Sequence, residues 1–167
     1  MANIKFSALP AGTEAYNDDI IGLTSASVAT VVKKVDQTIV SDTTFQDDDE
    51  LLFTMQANKT YAGLLFLFFQ SGVTPDFKYQ CTVPVGASCR NLSQTFSGSI
   101  DQQTRDMTGS SGNILMTGGI RHLSTNFRVI NGANAGDWNF QWAQNTSDPG
   151  DTLVEQGSSL IVWEELP

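Results

Sequence analysis

The chain has 167 residues, 40% hydrophobic and only 16% charged, with a formal net charge of -9 and a pI near 4.3. That length suits one domain with a small appendage, and 10 Phe, 3 Trp and 3 Tyr supply a core. The acidity argues against nucleic-acid binding, which needs a basic face to track phosphates, and against docking on anionic lipid.

The N-terminus, Met1-Ala2-Asn3-Ile4-Lys5-Phe6, lacks the basic and apolar regions of a secretory signal. The longest continuous apolar stretch, Leu64 to Phe69, falls far short of a bilayer span. The expectation is synthesis in a cytoplasm and a soluble product. Residues 1–30 read as an extended attachment arm with one or two short strands. Phe6, Leu9, Pro10, Ile20 and Ile21 are its apolar anchors, too few for it to fold alone.

From Val31 onward the pattern is strand, turn, strand, with the sandwich domain assigned to residues 31–167. Val31–Val35 and Gln37–Val40 are β-prone; Gln46–Glu50 reads as an acidic turn before a strand at Leu51–Met55. Gln56–Lys59 is a turn into the most apolar strand, 60–69. A loop at Ser71–Asp76 leads to the cleanly alternating Phe77–Val83. The polar segment 86–112 reads as a long loop with one strand near Leu92–Phe96. Ile114–Thr117, Ile120–Ile130, Trp138–Ala143 and Leu160–Glu164 complete the strands, with a hairpin loop at Gly132–Gly136 and a turn at Ser147–Asp151. No window carries a long helical repeat. The expected fold is all-β, a jelly-roll-like sandwich with an extended N-terminal arm.

The run Thr60 to Phe69 is apolar on both faces of a strand. Tyr61, Gly63, Leu65, Leu67 and Phe69 form one face and suit a sandwich core. Leu64, Phe66 and Phe68, with Ala62, form the other, which needs a second cover, from the same chain or from another subunit. These three are the candidate subunit-interface residues.

No residue set forms a recognisable catalytic centre. His122 has no Gly-x-Ser-x-Gly elbow to serve, and the glycines at 109, 112, 118 and 119 are not followed by Lys-Ser/Thr, so they form no P-loop. Asp47-Asp48-Asp49-Glu50 lacks the alternation and central glycine of an EF-hand and reads as a structural cap. Cys81 and Cys89 flank a Pro-Gly turn and are expected to face each other across a hairpin, as buried thiols or as a disulfide. Their spacing fits no zinc framework. Trp138, Phe140 and Trp142 share a strand face, either as core or as a row for stacking on sugars. The expectation is therefore no enzyme activity, no cofactor and no metal.

Two stretches resemble a known family. Thr44-Phe45-Gln46-Asp47-Asp48-Asp49-Glu50-Leu51 leads to Ala57-Asn58-Lys59-Thr60-Tyr61, and Gln141-Trp142-Ala143-Gln144-Asn145-Thr146-Ser147 leads to Gly157-Ser158-Ser159-Leu160. Together they resemble small β-sandwich virion proteins of tailed bacteriophages, over roughly residues 35–165. Leu9-Pro10-Ala11 with Asp18-Asp19-Ile20-Ile21 is similar to the N-terminal attachment segment of phage tail-fibre and accessory proteins. The resemblance implies a virion structural protein, assembled in the host bacterial cytoplasm. The leading expectation is a capsid decoration or cement protein, a homotrimer that binds the major capsid protein or other virion proteins through its arm. The alternative is a tail-associated fibre or a receptor-binding module that touches host glycan. A cellular adhesin-type or lectin-type sandwich, or a small hydrolase, is the third reading.

Overall fold

Strand β4 (Thr60–Gln70) organises the molecule because its alternating residues give it an apolar inner face along its whole length. The computed structural model describes residues 28–96, 100–106, 112–114 and 120–165. The arm anchors Phe6, Leu9, Pro10, Ile20 and Ile21 lie outside the described residues. The other strands in chain order are β1 (Val28–Val32), β2 (Gln37–Ile39), β3 (Gln46–Met55), β5 (Phe77–Thr82), β6 (Ser88–Phe96) and β7 (Ile100–Asp106). They continue with β8 (Gly112–Ile114), β9 (Ile120–Ile130), β10 (Gly136–Gln144), β11 (Thr152–Val154) and β12 (Ser159–Glu165).

Among the described residues these strands form two antiparallel sheets, an all-β sandwich of the expected class. The larger, eight-stranded sheet runs β1-β12-β4-β9-β6-β7, with β11 joining β4 to β2. The smaller runs β3-β10-β5-β8. The chain changes sheet at β2–β3, β3–β4, β4–β5, β5–β6, β7–β8, β8–β9, β9–β10 and β10–β11. Strands β11 and β12 follow one another along the same edge of β4, separated by a turn in which Gly157 takes a φ of 86°.

The core lies between the sheets. Tyr61, Leu65, Leu67 and Phe69 of β4 meet Trp138, Phe140 and Trp142 of β10, all buried. One aromatic group centres on Trp138, stacked on Phe127 at 4.9 Å and on Phe53 at 5.6 Å. A second centres on Phe77, 4.3 Å from Phe69 and 5.8 Å from Trp142. Such pairs contribute beyond the area they bury.

Four expectations change. The acidic run 46–50 is the first half of β3, with Asp47 and Asp49 exposed and Asp48 turned inward. Residues 28–30, in the segment expected to hold one or two short strands, pair with β12. Segment 86–112 contains the hairpin β6–β7, whose Ser, Thr, Gln and Asn residues hide a paired ladder from Arg90↔Asp106 to Phe96↔Ile100. The segments at 83–87 and 131–135 bridge the two sheets instead of closing hairpins, because the same Gly, Pro and Asn residues serve both kinds of reversal. Cys81 and Cys89 accordingly stand on opposite sheets, both buried and held as thiols.

Candidate functional site: the outer face of the larger sheet

With the odd-numbered residues of β4 committed to the core, Ala62, Leu64, Phe66 and Phe68 point outward. Antiparallel register places Ile161 of β12 beside Leu64 and Trp163 beside Ala62. Val32 of β1 lies opposite Ser159, which in turn lies opposite Phe66. The result is an apolar stripe across three neighbouring strands. Phe66 is 39% exposed, Phe68 42% and Trp163 37%, while Leu64 and Ile161 are half-buried. The exposed parts of these side chains amount to something on the order of a few hundred Å², within the range of the largest patch on an ordinary monomer and below the roughly 800 Å² that one partner gives to a standard interface.

Polar groups frame the stripe. At one end Arg128 donates to Glu165 (Nη2 to Oε2, 2.8 Å); Glu164, which lies opposite Tyr61 and so faces the other side of the sheet, accepts from Lys59 at 2.7 Å. Glu165 holds the Arg128 guanidinium above its usual pKa, and the hydrogen bond to Glu164 raises that of Lys59. At the other end exposed His122 lies opposite Phe68. On β9, Ser124 and Asn126 stand opposite Phe66 and Leu64, so the surface turns polar one strand away.

The opposite face of the sandwich differs in kind. On the smaller sheet Gln80 donates to Gln141 at 2.6 Å, and Gln141 donates to Asp47 at 2.8 Å. Thr54 donates to Asp137 at 2.7 Å. These groups satisfy one another and present no apolar surface.

The sequence-predicted interface residues Leu64, Phe66 and Phe68 thus come together on one face. Sequence reasoning missed Ile161, Trp163 and Val32, although Leu160-Ile161-Val162-Trp163 is itself apolar on both sides of a strand. The aromatic row Trp138, Phe140 and Trp142 is wholly buried and so cannot stack on a sugar. The Asp47–Glu50 run does not gather into a metal site, and no cluster of metal-ligating side chains occurs among the described residues.

No protein-family model matches the chain, and no curated protein matches it. Among solved structures, a chain of the infectious bursal disease virus Gt strain is similar over 84% of this chain, at 12% identity and a TM-score of 0.22. A chain of the Gx strain is similar over the same share, at 13% identity and a TM-score of 0.19. This chain covers 39% of each of those chains.

Proposed function

We propose that this chain is a bacteriophage virion structural protein, a capsid decoration or cement protein that self-associates through the outer face of its larger sheet. The observation that carries the reading is the exposed stripe of Phe66, Phe68 and Trp163 on a strand pair whose other face is the core. The sequence pattern around Gln46–Leu51 and Gln141–Ser147 supports the assignment to tailed-phage virions. A homotrimer suits an icosahedral shell, which offers threefold positions. In this reading Phe6, Leu9, Pro10, Ile20 and Ile21 of the arm contact the major capsid protein or another virion protein, and repeated copies add avidity.

The function is binding, and the burial of apolar surface drives it. The test is addition of the purified full chain, and of residues 28–167, to phage heads lacking the protein. The full chain binds and the shortened one does not. Equal binding by both would remove the arm from the mechanism, and binding to tails alone would favour the fibre reading. The glycan alternative loses its aromatic platform with the burial of Trp138 and Trp142.

A further inference from the structure

Lys33 follows β1 directly, and its side chain is 1% exposed. Its Nζ donates to Asp48 Oδ1 at 3.0 Å and to Gln37 Oε1 at 3.2 Å. The Asp48 side chain is 0% exposed. Its Oδ1 also accepts the backbone N–H groups of Glu50 at 3.1 Å and Leu51 at 3.0 Å. Its other oxygen, Oδ2, is buried and has no hydrogen-bond partner. A buried carboxylate keeps half its charge on each oxygen, and leaving one unsolvated is costly. The pair is therefore poorly satisfied as a salt bridge.

We propose that Lys33 and Asp48 are joined by an intramolecular isopeptide bond. One ammonium proton passes to the carboxylate, leaving a free amine. The lone pair of Nζ attacks Cγ, the Nζ–Cγ bond forms and the Cγ–Oδ2 bond breaks. A second proton from Nζ leaves with Oδ2, so that one water departs and no co-reactant is consumed. The oxygen lost is the one without a partner. The oxygen kept is the one held by two backbone N–H groups, which polarise the carbonyl toward attack. The remaining amide N–H keeps Gln37 Oε1 as its acceptor. Burial holds the reactants together without competing water.

The bond would tie the end of β1, in the larger sheet, to β3 in the smaller. Among the described residues β1 is an edge strand, paired to β12, and residues 1–27 precede it in the chain. A pull on that segment would then load a covalent link between the sheets.

Intact mass of the reduced, denatured full chain tests it. The wild type should be lighter than its sequence by one water. Trypsin should then release a branched peptide joining the segment ending at Lys34 to the one ending at Lys59. Lys33→Met and Asp48→Ala should each show full sequence mass, a readout that holds even if they fold poorly. Full mass in the wild type would overturn the proposal. So would a missing water that persists in Lys33→Met.

Discussion

Phe127 lies across Gly63: the two are directly opposed on β9 and β4, and a Cβ at position 63 would sit 2.1 Å from Cζ of the ring. The missing side chain lets Phe127 lie flat enough to stack on Trp138 with an interplanar angle of 12°. Gly63→Ala should force that ring off its partner and cost roughly 1–3 kcal/mol. For a chain of this size, each kcal/mol lowers Tm by about 2–4 °C. Pairing it with Phe127→Leu should cost less than the sum of the two single changes, because the smaller side chain gives the methyl room. An unchanged Tm in Gly63→Ala, by calorimetry, would contradict this packing.

The three tryptophans divide by environment. Trp138 and Trp142 are fully buried, and Trp163 stands on the apolar stripe. In dilute protein, acrylamide should quench the Trp163 contribution and leave the other two largely protected. As concentration rises and the outer faces meet, that quenching should fall, and Trp163→Phe should abolish the concentration dependence. Quenching that stays constant across the association range would place Trp163 outside the contact.

Asp42 offers a titration. Its carboxylate accepts the Thr44 backbone N–H at 2.7 Å, the main cause of its lowered pKa, and the Gln46 amide at 2.8 Å. A folded value below the ordinary 3.8 means the carboxylate form is favoured by folding. This contribution is fully present above 3.8 and is lost as pH falls through the lowered folded value. Carbon NMR of the carboxyl should show the depressed titration, and Asp42→Asn should flatten the acid limb of the stability curve. A midpoint at or above 3.8 would contradict the capping geometry.

The strands with strong alternation were legible in the sequence, and so was the double-sided character of residues 60–69. Burial follows their period of two. The acidic start of β3 was not legible, because charge density suggested a turn. Only tertiary contact reveals that Asp48 turns inward to meet Lys33, 15 residues earlier. The cysteines were misplaced for a related reason. Pro84 and Gly86 announce a reversal of the chain, but not whether it stays in one sheet or crosses to the other. Half of the candidate face was visible as Leu64, Phe66 and Phe68. The other half depends on the pairing of β12 with β4, which joins residues about a hundred positions apart and has no local signature.

Light scattering of the full chain, beside a Phe66→Glu/Phe68→Glu variant, tests the central claim most directly. Both positions are exposed in the single chain, so the variant should keep its fold by circular dichroism. The account predicts a wild-type mass three times that of the 18.1 kDa chain and a monomeric variant. A monomeric wild type, or a variant whose trimer survives intact, would contradict self-association through this face.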